Sequence, residues 1–126
     1  MEKRIYFHDT DAGGVVYYGN YLKYLEEART EYLEQRGMGV DAFLKQGLLY
    51  AVSTCTINYR SPARYGETLI CSAKLKQITA VKLIFEQIIQ EKKSNRLIAD
   101  AEVTLVCLNK DFKPTAIPEE FKANLT

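Results

Sequence analysis

Tryptophan is absent from the 126 residues, histidine occurs once, at His8, and proline three times. With one histidine and no serine in a suitable context, a Ser-His-Asp scheme has no support. The three cysteines, Cys55, Cys71 and Cys107, lie far apart inside strand-like segments. They match neither a metal-ligand spacing nor a redox pair, so no metal site is expected and the thiols read as small buried core residues. No apolar run approaches the ~20 residues needed to span a bilayer, and no transmembrane segment is expected. The N-terminal residues Met1–Tyr6 enter directly into alternation, without the apolar core of about 7–15 residues that marks a secretory signal. A cytoplasmic location follows as an expectation. A formal net charge of +1 leaves no strong electrostatic case for nucleic acid, so any polyanion site must be local. Internal repeats, low-complexity segments and linkers are also lacking.

An apolar fraction of 47% and a charged fraction of 26% are those of an ordinary globular protein, and the length suits one domain over residues 1–126 with a single core. Lys3–Phe7 alternate as a first strand, with Ile5 and Phe7 opposite Arg4 and Tyr6. From Tyr21 to Arg36, Tyr21, Leu22, Tyr24, Leu25, Ala28, Tyr32 and Leu33 fall at helical spacing, with Lys23, Glu26, Glu27, Glu31 and Glu34 between them. Asn20 is a favoured N-cap and Gly37 a favoured residue past the C-terminus; the helix would be roughly 24 Å long. Residues 40–46 suit a short second helix between Gly39 and Gly47.

The second half alternates with the period of strands: 49–60 up to Pro62, then 67–78, 81–90 and 97–108. In the third of these, Val81, Leu83, Phe85, Gln87 and Ile89 share one face. Lys92–Asn95 and Asn109–Pro114 make turns, and Pro118 suits a first helical turn near the end. One long helix followed by long strands with short connections predicts an α+β domain, a curved antiparallel sheet folded round the helix. Such a helix cannot cover five long strands, and free sheet edges invite pairing, so a homodimer or higher oligomer is expected.

The chemistry concentrates in His8-Asp9-Thr10-Asp11-Ala12-Gly13-Gly14-Val15-Val16-Tyr17-Tyr18-Gly19-Asn20. Two carboxylates, adjacent glycines that let the chain pass close to a partner, and a helix start lie within a dozen residues. Asp9 and Asp11 also suit plain turn formation. Tyr17, Tyr21 and Tyr24 suit either an acyl or aromatic pocket or the core.

This run, with Glu26-Glu27-Ala28-Arg29 on the next helix, resembles the hotdog-fold acyl-CoA thioesterases of the 4-hydroxybenzoyl-CoA thioesterase type, and within them the Tol-Pal-associated (YbgC-type) branch. The likeness extends through Tyr59-Arg60-Ser61-Pro62-Ala63-Arg64, the strand series and Ile117-Pro118. It implies a curved five-stranded sheet around one helix, and hydrolysis of an acyl-CoA to free acid and CoA without a cofactor. Asp11 would be the catalytic carboxylate, as nucleophile or as general base toward water. The backbone N–H of Tyr18 would stabilise the oxyanion with the helix dipole behind it. Tyr18 stands where the YbgC branch usually has His, whereas the 4-hydroxybenzoyl-CoA enzymes have Tyr.

Asp9 would support the loop, and Gly14, Tyr17, Gly19 and Asn20 would contact substrate. Arg60 and Arg64 are first candidates for the CoA phosphates, with Lys92, Lys93 and Arg96 behind them. Glu26, Glu27 and Glu31, the helix carboxylates of another hotdog lineage, lie on the charged face. The resemblance also implies sites at the interface of a homodimer or homotetramer, and a link to envelope or lipid-synthesis proteins. Two alternatives stand beside the hydrolase: a hotdog dehydratase, which would draw on His8, and a non-catalytic acyl-thioester binder or partner subunit.

Overall fold

Apolar alternation sorts the second half into four long strands: β2 (Leu49–Tyr59), β3 (Thr68–Ile78), β4 (Lys82–Glu91) and β5 (Leu97–Leu108), with a short β1 (Glu2–Arg4) before them. The computed structural model describes residues 1–125; Thr126 lies outside the described residues. The strands form one antiparallel sheet in the order β1-β3-β4-β5-β2, with pairs such as Phe85 opposite Val103 and Ile57 opposite Ala101. Register shifts at Val52/Thr54, Leu75/Gln77 and Ile89/Gln90 interrupt the ladders, and such irregularities bend and twist a sheet. The sheet is open, with three-residue β1 at one edge and eleven-residue β2 at the other.

Helix α1 (Asn20–Glu34) lies against the inner face of the sheet and buries Tyr21, Tyr24, Leu25, Ala28, Arg29 and Leu33. Leu25 is 1% exposed, and burying a leucine contributes about 2 kcal/mol. Past the helix, Met38 N–H reaches back to Leu33 O at 2.8 Å, with Gly37 at φ +72° making the reversal. Two short helices, α2 (Val40–Lys45) and α3 (Glu119–Leu125), add Phe43 and Phe121, whose rings stack at 4.8 Å.

The core divides in two. One cluster gathers Ile5, Tyr21, Tyr24, Leu25, Ala28 and Ile89 under the first half of α1, the other Leu33, Met38, Phe43, Phe85 and Phe121 under the second half. Between them sits a buried polar pair: Arg29 Nη1 donates to Gln87 Oε1 at 3.0 Å, and Gln87 Nε2 donates to Leu25 O at 3.0 Å. Among the described residues no helix is long and apolar enough to cross a membrane.

Four local expectations need correction. The first strand ends at Arg4, and Phe7 is 79% exposed rather than facing the core with Ile5. The Asp9 carboxylate takes the Tyr6 N–H at 2.8 Å and turns Phe7–Asp9 into a single 3-10 turn, a side-chain bond outcompeting the ladder. Asn20 is the first helical residue and Gly19 stands at the cap, because the chain already turns at Tyr17–Asn20 and the Asn20 side chain is used elsewhere. Leu22 is 47% exposed, while Arg29 takes a buried place on the helix. Finally, Cys55 is exposed, since edge strand β2 has a neighbour on one side only; Cys71 and Cys107 are buried. Burial pushes the Cys71 thiol up to about 12.

Candidate active site

Residues 9–19 fold as a small hairpin laid against the 61–64 connection, with bridges pairing Thr10 with Val16 and Val15 with Arg64. Asp11 N–H donates to Val15 O (2.9 Å), and Gly14 N–H to Asp11 O (3.0 Å). Gly14 sits at φ +77°, a conformation that favours glycine. The Asp11 carboxylate is exposed; Oδ1 accepts the Gly13 N–H at 2.8 Å, and Oδ2 has no hydrogen-bond partner among the described residues.

Asp9 behaves differently. It is buried, its Oδ2 holds Tyr6 N–H, and its backbone carbonyl accepts both Tyr17 N–H (3.0 Å) and Asn20 Nδ2 (2.9 Å). It thereby joins the end of β1, the loop and the first turn of α1. The phenol of Tyr24, buried nearby, is pushed above its ordinary range by burial first and the Asp9 charge second. Its hydroxyl has no hydrogen-bond partner among the described residues.

At the helix start, the N–H groups of Asn20, Tyr21 and Leu22 bond to the carbonyls of Tyr17, Tyr18 and Gly19 at 2.9, 3.3 and 3.3 Å. The N–H groups of Tyr18 and Gly19 have no acceptor among the described residues. Two uncommitted donors at the positive end of α1 are what a developing oxyanion requires. Gly19 also leaves room for a ring: a Cβ there would meet Tyr17 Cε2 at 2.7 Å.

The remaining sequence candidates separate into groups. Tyr18 and Arg60 line one shallow cleft of about 300 Å³ with Tyr21, Tyr59 and Ser61; Asp11 and Arg64 are not in its walls. Tyr21 Oη accepts the buried Ala63 N–H at 3.1 Å, so Tyr21 and Tyr24 are core while Tyr17 is half-exposed. Arg60 is held by Asp100, Nε to Oδ2 at 2.7 Å, and Asn58 adds a bond at 3.0 Å. These contacts hold the Asp100 carboxyl below its usual range. The Arg64 guanidinium, exposed beside the hairpin, has no partner among the described residues.

Arg96 is spent on Glu67 and Pro62 O, all at 3.0 Å, and Lys92 pairs with Glu2. His8 stacks on Tyr6 with its side chain 81% exposed, 3.6 Å from Asp9. Glu27 faces Lys3 at 3.9 Å, and Glu31 is exposed.

A second feature holds only Glu26 of the sequence candidates: a cavity of about 450 Å³ between α1 and β2. Its walls are mainly apolar, including Leu22, Leu33, Val52, Val103 and Leu105, and Arg29 reaches it from the helix. The spacing Leu22, Glu26, Arg29, Leu33 was the available signal, a second helical stripe beside the core stripe. Gln87 gave another, as the polar member of an apolar strand face.

Comparison with known proteins identifies the family and the fold. The family model described as the thioesterase-like superfamily matches residues 5–125. The acyl-CoA thioester hydrolase YbgC of Escherichia coli is 35% identical over 121 residues, covering 95% of this chain and 90% of that protein. A crystal structure from Aquifex aeolicus superposes with a TM-score of 0.91 at 25% identity, covering 100% of this chain and 98% of that one. The structure of a DHNA-CoA thioesterase from Staphylococcus aureus gives 0.89 at 26% identity, covering 98% and 83%. The five-stranded sheet around α1 is the hotdog fold of these enzymes, and the chain belongs to the thioesterase-like superfamily.

Proposed function

We propose that this protein hydrolyses acyl-CoA thioesters, with Asp11 as the carboxylate that attacks the carbonyl or deprotonates water and the Tyr18 N–H as oxyanion donor. The observation that carries the proposal is the pairing, in one short loop, of a carboxylate with an uncommitted oxygen and backbone donors without acceptors. An aspartate is ionised at neutral pH in its ordinary state, and a thiolate leaves readily, so no strong leaving-group acid is required. Water adds to the carbonyl carbon, the carbon–sulfur bond breaks, and the acid and CoA thiol depart. The role given to Tyr18 needs only its backbone, so it tolerates tyrosine where relatives carry histidine.

Gly14 and Gly19 let loop and substrate approach closely, Asn20 ties the helix start to Asp9, and Tyr17 flanks the entrance. For the CoA phosphates, Arg64 is the better placed cation, because Arg60 already serves Asp100. The long unpaired edge of β2 suits assembly into a homodimer or homotetramer.

The test is a panel of short, long and aromatic acyl-CoAs with detection of free thiol. Wild type releases thiol from at least one of them, and Asp11→Asn loses ~10²-fold or more while keeping its circular dichroism. Equal rates in the two proteins refute the mechanism. Light scattering addresses assembly; a fully active monomer would rule the oligomer out.

A further inference from the structure

Arg29 is 7% exposed, yet its one protein partner is the neutral amide of Gln87; no carboxylate lies within 4.0 Å of it among the described residues. Burial lowers its pKa, and the negative charge of Glu26, one turn away on the helix and beyond ion-pair distance, offsets that only in part. The Gln87 amide cannot turn to do more, since its Nε2 is fixed by Leu25 O and Ser72 O. Nη1 is thus engaged, the rest of the guanidinium fork makes no hydrogen bond among the described residues, and Arg29 is one of the residues that line the α1–β2 cavity.

The cavity runs along the helix from Leu22, in its first turn, to Leu33, in its last, about 16 Å at 1.5 Å per residue. Its first end, at Leu22, lies three residues along the chain from Gly19, whose free N–H opens the helix. Arg29 lies seven residues beyond Leu22, about 10 Å further in. Of the other charged groups in the wall, Lys23 and Glu26 are both exposed, so the buried charge is the cation. An apolar trench with a half-satisfied guanidinium partway down is complementary to an apolar chain ending in an anion. A carboxylate meets the fork with two parallel hydrogen bonds, which a neutral hydroxyl cannot.

We propose that this cavity receives the acyl group and that Arg29 is a specificity-determining residue, selecting acyl chains that end in a carboxylate over plain chains of the same length. This rests on the thioesterase function proposed above. Two assays separate the failure of one from the failure of the other.

The first compares kcat/KM for succinyl-, adipoyl- and suberoyl-CoA with butyryl-, hexanoyl- and octanoyl-CoA. Wild type favours the carboxylated member of the best pair by about 10–100-fold, the range expected for a charge-assisted bond. Arg29→Met reverses the preference and Arg29→Lys keeps part of it. The second needs no turnover: thermal stabilisation by free octanoate against octanol, with octanoate the stronger in wild type and the difference lost in Arg29→Met. Octanoate binding without hydrolysis of any acyl-CoA would keep the cavity assignment and remove the enzymatic one.

Should Arg29→Met fail to fold, Leu22→Trp, which fills the cavity from the exposed side of the helix, decides. Loss of the octanoate effect supports the proposal, and an unchanged effect overturns it. It is equally overturned by a wild-type ratio near one, or by a change of molecular mass in folded Arg29→Met, which would give the guanidinium to a subunit contact.

Discussion

Replacing Gln87 by methionine changes little in volume and removes one amide from the centre of the sheet, 1% exposed. The Arg29 Nη1 bond, charged donor to neutral acceptor, is lost, at about 1.5–3 kcal/mol, and a buried guanidinium is left short of an acceptor. Loss of the bond to Leu25 O adds about 0.5–1 kcal/mol. Total destabilisation is therefore about 2–4 kcal/mol, a fall in Tm of about 8–15 °C for a domain of this size. Urea unfolding followed by circular dichroism at fixed protein concentration measures it, with a lower midpoint and an unchanged slope. The decisive comparison is the double variant Arg29→Met/Gln87→Met, which removes the charge together with its acceptor. It should recover about 1–3 kcal/mol relative to the sum of the single variants. A loss below about 1 kcal/mol in Gln87→Met, or strict additivity, would refute the reasoning that Gln87 is there to satisfy Arg29.

Gly19→Ala forces the Tyr17 ring to move, because the new Cβ meets it at 2.7 Å; kcat falls about 10–100-fold through misplacement of the helix-start donors, while Tm changes little. A kcat equal to wild type would argue against the oxyanion role of this turn. Arg64→Met raises KM for acyl-CoA about 3–10-fold and leaves the hydrolysis of an N-acetylcysteamine thioester, which lacks phosphates, unchanged; Arg60→Met has the smaller effect on KM. Glu91 accepts Lys93 N–H at 2.8 Å, and both Ser94 N–H and Ser94 Oγ, which hold its carboxyl below the ordinary 4.5. A depressed folded-state pKa stabilises above the unfolded value, and that stability disappears as the pH falls below about 4.5 toward the folded value. Glu91→Gln should accordingly show a shallower fall of Tm with acid over that window than wild type.

The long elements are legible in the sequence because period and packing agree: β5 spans the 97–108 alternation and α1 lies within a residue or two of its pattern. What escapes is decided by partners distant in the chain. The pairing of Arg60 with Asp100 depends on the register that sets Tyr59 opposite Ala99, and no local pattern contains it. Cys55 has the alternation of a buried position but lies on an edge strand, a property of sheet order rather than of the segment. At the loop, the Asp-x-Asp and glycine run is visible, whereas the different fates of its two acids depend on which one closes a turn back to Tyr6. Glu26 reads as part of a charged face until the second helical stripe is set against β2.

That division between the acids bears on how mutational data for this protein would be interpreted. Asp9 fastens three chain segments at one point, two through its backbone carbonyl and one through its carboxylate, so its replacement would strip the acceptor from the Tyr6 N–H and loosen the end of β1 beside the loop, while Asp11, in the mechanism proposed above, would silence turnover by removing a reacting oxygen. A survey scored by turnover alone would mark the two as equivalent and place a structural rivet among the chemical groups. Melting temperature separates them, because the rivet carries stability and the exposed carboxylate carries almost none.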